Sequence, residues 1–129
     1  MRTVWTNGCF DVLHRGHIEL FKYASSLGDR LLVGLDTDEK VKADKGPDRP
    51  FNNLEDRKFV LESITYIDEV LEFDSRNALE SLIKNLKPDI LVVGSDWKGK
   101  EVVGGEYAGK VNFFDRISGY STTNILEKK

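Results

Sequence analysis

The stretch NGCFDVLHRGH, residues 7–17, holds both histidines of the chain, His14 and His17, in an H-x-G-H arrangement after a short apolar run. Set three residues apart on the first turn of a helix, the two imidazoles fall on one side and can both donate N–H bonds to one phosphate. Gly8 permits a tight turn and Gly16 a close backbone approach, while the free N–H groups of the starting helix point at the same place. The stretch is an anion site by construction.

Other chemistries fit these residues less well. Cys9, His14 and His17 are three soft or borderline metal ligands, but C-x4-H-x2-H matches no common zinc spacing and no further Cys or His could complete a closed site. Zinc is therefore not expected. No G-x-G-x-x-G follows the first apolar run, and no Lys-Ser or Lys-Thr follows spaced glycines, so neither a dinucleotide fingerprint nor a P-loop is present. A single histidine is more often structural than catalytic, and taken alone the residue types leave catalysis open.

The surrounding pattern says what must position the stretch. Residues 2–7 read as a strand and 18–27 as a helix, with Ile18, Phe21 and Ala24 at helical spacing and Gly28 as the stop. A nearly all-apolar second strand spans 30–36, as expected for a parallel strand covered on both faces. Residues 43–53 read as a loop, Asn53 caps a helix to about Ser63, and 69–73 form a third strand. Leu79, Leu82, Ile83 and Leu86 mark one face of a helix over 77–86, Pro88 closes it, and strands follow at 89–94 and 111–114. Residues 121–129 read as a short terminal helix. This alternation predicts an α/β fold: one five-stranded parallel sheet, helices on both faces, right-handed crossovers, and a ligand site at the strands' carboxyl ends. Segments 7–17, 36–53, 94–107 and 115–121 leave those ends.

With 129 residues, 40% of them apolar, the chain is expected to form one domain, 1–129. Its formal charge of -3 gives no electrostatic footprint for nucleic acid and favours a small-molecule partner. A lone cysteine, no leader and no apolar run of membrane-spanning length point to a cytoplasmic protein without membrane association.

The residues also carry a resemblance. HRGH fits the H-x-G-H signature of the nucleotidylyltransferase superfamily, and NGCFDVLHRGHIELF looks like the opening of its cytidylyltransferase-type branch. RISGYSTTNI, residues 116–125, is similar to that branch's second signature. Two relatives compete. KGPDRPFNNLEDR and GYSTTNI resemble the heptose-1-phosphate adenylyltransferase domain, whereas GSDWKGK resembles glycerol-3-phosphate cytidylyltransferase. The heptose-type domain is often fused to a sugar kinase for which 129 residues leave no room, so the phosphorylated substrate is expected ready made.

The resemblance implies a Rossmann-like sheet, a homodimer, and transfer of a nucleotidyl group from a nucleoside triphosphate to a phosphorylated sugar or polyol, with Mg2+ brought by the triphosphate. It implies that His14 and His17 bond the triphosphate and that Thr6, Asn7, Gly8, Cys9 and Phe10 cradle phosphates, with Gly16 and Gly94 close by. Lys45 becomes a phosphate clamp and Arg57 a second. Arg116 with Tyr120, Ser121, Thr122 and Thr123 would hold the outer phosphates. Asp11 and Asp96 could touch Mg2+ or acceptor hydroxyls, or serve as turn residues, and Trp97 could line the base or acceptor pocket. No general base is needed, because a phosphate monoester is already ionised at neutral pH. A non-catalytic nucleotide sensor on the same fold is the alternative of another class.

Overall fold

The computed structural model describes residues 1–115. Five strands, β1 (Thr3–Gly8), β2 (Arg30–Asp36), β3 (Glu69–Phe73), β4 (Ile90–Gly94) and β5 (Lys110–Phe114), form one sheet in the order β3-β2-β1-β4-β5. Every pairing is parallel. The helices are α1 (Arg15–Ser26), α2 (Asp38–Lys45), α3 (Leu54–Glu62) and α4 (Arg76–Leu86). Chain order runs outward from β1 through β2 to β3, then restarts on the other side at β4, so the switch point lies between β1 and β4.

Strand alternation divides the core in two. Val4, Leu31, Val33 and Val92 face a layer holding Phe21 of α1 and Leu61 of α3, while Trp5, Leu32 and Leu91 face Leu79 and Ile83 of α4. Of the expected α4 stripe, Leu86 lies at the margin and is 38% exposed. Trp5 is fully buried against β2, where a Cβ added at Gly34 would lie 2.4 Å from its ring. Gly34→Ala is therefore expected to destabilise the fold by about 1–3 kcal/mol, the usual range for overpacking. Urea unfolding measures it, and an unchanged midpoint would contradict the packing described.

Carboxylates at the opposite, amino-terminal edge serve the fold. Asp29 accepts from Arg2 N at 2.7 Å, Asp89 from Thr3 N at 2.8 Å and Asp68 from Leu31 N at 2.7 Å. Each satisfies a backbone donor where a strand begins.

Two elements depart from the sequence expectation. The segment 36–53, in which only a loop over 43–53 was expected, contains α2, capped by Thr37, with Asp38 and Glu39 in its first turn and Lys42 and Lys45 in its last. Those charges suit the helix dipole, but Val41 is the only buried residue, so the helix has almost no apolar periodicity to be read. Helix α1 begins at Arg15 rather than Ile18, because a histidine supplies the cap. The expected terminal helix lies outside the described residues, as do Arg116, Tyr120, Ser121, Thr122 and Thr123. Among the described residues no helix is long and apolar enough to cross a membrane.

Candidate active site

A cleft opens at the switch point because two ladders outrun the one between them. The β1–β2 pairing continues to Gly8↔Leu35 and β4–β5 to Gly94↔Phe114, whereas β1 and β4 pair only at Val4↔Ile90 and Trp5↔Leu91. Beyond that point the buried Thr6 hydroxyl donates to the Val92 carbonyl at 2.9 Å and spans the gap. Asn7 is oriented by the Trp5 indole, which donates to its Oδ1 at 2.9 Å. Nothing lies within 4 Å of the position a Cβ would take at Gly94. The end of β4 is thus open at Gly94.

The turn from β1 into α1 fixes both imidazoles. Gly16 N donates to His14 Nδ1 at 3.0 Å, and His14 N donates to His17 Nδ1 at 3.2 Å, a reciprocal capping box built from two histidines. Because each Nδ1 accepts, the proton of each neutral ring resides on Nε2. The rings lie 3.9 Å apart between centroids and are inclined by 32°. The turn's left-handed residue is Phe10, at φ 45°, rather than Gly8. Its buried ring packs edge-on to His17 at 5.6 Å and lies 3.1 Å from where a Cβ at Gly8 would sit. Gly8 is needed here for that contact, and Phe10 holds an uncommon backbone conformation at the site.

Burial, then the proximity of His14 and Lys45, lowers the His17 pKa from 6.5 to about 4. At neutral pH His17 is an uncharged donor. Between those two values the unfolded chain binds a proton that the folded chain does not, so this residue's contribution to stability rises with pH from about 4 to 6.5 and is level above. Urea unfolding across that range is expected to show a rise of up to about 3 kcal/mol from this group. His17→Asn should remove it, and an equally steep profile in that variant would contradict the assignment.

Lys45, at the end of α2, brings its Nζ to 3.1 Å from Cys9 Sγ. Tertiary structure thus supplies the cation beside this thiol that the local sequence lacks. Asp96 and the 47%-exposed Trp97 sit on a 3₁₀ turn, Ser95–Trp97, directly beyond β4.

Two charged side chains of the expected site are engaged within the protein. Asp11, read toward metal or acceptor or else as a turn residue, has a fully enclosed side chain that accepts from Phe51 N at 2.7 Å, Asn52 N at 2.8 Å and Arg49 Nε at 3.2 Å. Burial opposes its ionisation, but these donors outweigh that and hold the carboxyl below its ordinary range. Arg57, read as a phosphate clamp and acceptor contact, is 2% exposed. Its guanidinium donates to the carbonyls of Asn52, Cys9 and Asp36 and to Asp38 Oδ1, at 2.7–2.9 Å. Both charges are occupied inside the protein, because the chain folds a loop and two strand ends onto them.

Asp36, at the carboxyl end of β2, is a partly buried carboxylate that the sequence reading did not single out. It ends β2 3.8 Å from Lys40, and burial raises its carboxyl pKa despite the lysines around it. Its signal was available, as a carboxylate closing an otherwise apolar strand. Among the described residues no three His, Cys, Asp or Glu side chains converge to hold a metal. Of the two carboxylates read toward Mg2+, Asp11 is engaged by the protein's own donors.

A doubly wound sheet with a cleft at its switch point and donor groups at the first helix defines a nucleotide-binding α/β domain. The chain belongs to the cytidylyltransferase-like family of nucleotidyltransferases, whose model matches residues 5–128. The bifunctional protein HldE of Campylobacter fetus is 50% identical over 97% of this chain, and that of a Nitratiruptor species 50% over 98%. The chain spans 27% of the length of each. Among solved structures, a lipopolysaccharide core biosynthesis protein from Thermoplasma volcanium superposes with a TM-score of 0.73 at 27% identity, covering 94% of this chain and 99% of that one. Pantothenate synthetase from Thermus thermophilus, at 13% identity and a TM-score of 0.62 over 91% of this chain and 56% of its own, shares the fold.

Proposed function

We propose that this domain transfers an adenylyl group from ATP to a sugar 1-phosphate, a heptose 1-phosphate by preference, for surface-glycan precursor synthesis. The observation that carries the reading is the histidine pair at the turn from β1 into α1, each Nδ1 engaged in the helix cap so that Nε2 carries the proton. In the reaction an acceptor phosphate oxygen attacks the α-phosphorus, the new P–O bond forms, and the bond to the β-phosphate oxygen breaks to release pyrophosphate. The acceptor is already an anion, so the domain's work is alignment and the neutralisation of charge.

His17, and His14 beside it, donate to the triphosphate through Nε2, and the backbone of residues 6–10 lines its path. Lys45 meets the phosphates from the α2 side, and Gly94 leaves room for the nucleoside. Asp96 and Trp97 face the acceptor or base. Arg116, Tyr120, Ser121, Thr122 and Thr123 complete the nucleotide contacts in this reading, which rests for them on the motif alone. Mg2+ arrives with the triphosphate. A cytoplasmic homodimer, without nucleic acid or membrane partners, belongs to the same reading.

The 50% identity to HldE proteins favours the adenylyl donor, while GSDWKGK keeps the CTP and glycerol 3-phosphate pairing as the rival. Pyrophosphate release, measured with each of four nucleoside triphosphates against a panel of phosphorylated acceptors, tests both. Release with ATP and heptose 1-phosphate is expected. Release with CTP and glycerol 3-phosphate would replace the reading, and nucleotide binding without release from any pairing would favour the sensor.

A further inference from the structure

We infer that Asp11 is a positioning residue that sets Lys45 over the phosphate site by clasping the segment that follows α2. This rests on the reading of Lys45 as a phosphate contact. The segment 46–53 leaves Lys45 and returns to the turn after β1, where the Asp11 carboxylate takes the backbone N–H groups of Phe51 and Asn52 and the Arg49 side chain. Asn52 answers by donating its Nδ2 to the Asp11 carbonyl at 2.8 Å, and its own carbonyl accepts from Arg57. At the segment's other end, Lys45 Nζ lies 3.1 Å from Cys9 Sγ, two residues before Asp11. Both ends of the segment therefore close on the same turn.

The joint between Lys45 and the clasp is Gly46, at φ 106°, with nothing within 4 Å of its Cβ position. No packing wedges that joint. Backbone bonds hold it instead, Gly46 N donating to Lys42 O at 2.9 Å and Arg49 N to Gly46 O at 3.2 Å, and through them the place where the clasp pins residues 49–52 is passed on to Lys45. A carboxylate suits the task because it accepts several bonds at once and remains ionised opposite Arg49.

A double-mutant cycle tests this, reading the dissociation constant of ATP with Mg2+ by calorimetry and the melting temperature without nucleotide. The variants are Asp11→Asn, Asn52→Ala and Lys45→Ala, singly and combined. Asn52 is exposed, so its variant keeps the buried carboxylate and serves if Asp11→Asn does not fold. Each single change is expected to weaken ATP about tenfold, a coupling within the range for residues acting together. Each clasp variant combined with Lys45→Ala should bind no more weakly than Lys45→Ala alone, and Asn52→Ala should barely move the melting temperature. If the losses multiply, Asp11 does not act through Lys45 and the inference falls while the Lys45 contact stands. If Lys45→Ala binds ATP normally, the Lys45 reading falls and the inference with it.

Discussion

Replacing His17 by Ala is expected to lower kcat for pyrophosphate release by about 10²–10³, the loss typical of one oriented donor to developing charge. Two features of the site make this the largest catalytic effect. The imidazole is uncharged at neutral pH, with its pKa lowered to about 4, and its Nδ1 is already engaged by His14 N at 3.2 Å. The ring is thus fixed with its proton on Nε2, so that in the proposed reaction the donor is oriented before substrate arrives. The same side chain also belongs to the α1 cap, whose loss alone costs about 1 kcal/mol of stability. His17→Asn separates the two roles. Its carbonyl can accept from His14 N, so the helix start is preserved, but the shorter amide cannot reach where Nε2 was. Comparable losses of kcat in both variants, with the melting temperature recovered in the second, are the expected pattern. Full activity in either variant would remove His17 from the mechanism.

Arg57→Leu is expected to be the most destabilising single change, by about 3–5 kcal/mol, as when one partner of a buried ion pair is removed. The guanidinium has no exposed side-chain surface, and its loss strands three carbonyls, of Cys9, Asp36 and Asn52, together with the Asp38 carboxylate. Those four acceptors belong to the end of β1, the end of β2, the start of α2 and the segment before α3. Such a loss is a large share of a marginal total of about 5–15 kcal/mol, and it corresponds to roughly 10–20 °C in Tm. Arg57→Lys should recover only a small part, because a single ammonium cannot reproduce a planar fork reaching four acceptors. Thermal and urea unfolding measure both, and a Tm for Arg57→Leu within a degree or two of the parent's would mean that the fold does not depend on this junction.

How much of this was legible beforehand follows from the range of the interactions concerned. The strands were readable because β2 and β4 are buried on both faces and carry near-continuous apolar runs. Helix α4 was readable because Leu79 and Ile83 recur at helical spacing, and α3 because Asn53 caps it through Asp56 N. The histidine pair was readable because its geometry is local. Residues three apart at a helix start must share a face, whatever surrounds them. By contrast, α2 has one buried residue and shows no period.

The charged residues divide on the same principle. By itself the sequence determined the alternating α/β order, the strand-end location of the site and the paired imidazoles, since each depends on periodicity or on contacts within a few positions. Only the tertiary structure decided that Asp11 and Arg57 face inward and that Lys45 reaches Cys9. Each has a partner far along the chain, 36 positions away for Lys45 with Cys9, 40 for Asp11 with Phe51 and 48 for Arg57 with Cys9. A side chain's type states what it can bond. Whether that bond goes to a ligand or to the protein's own backbone is settled by which distant groups the fold brings within about 3 Å of it.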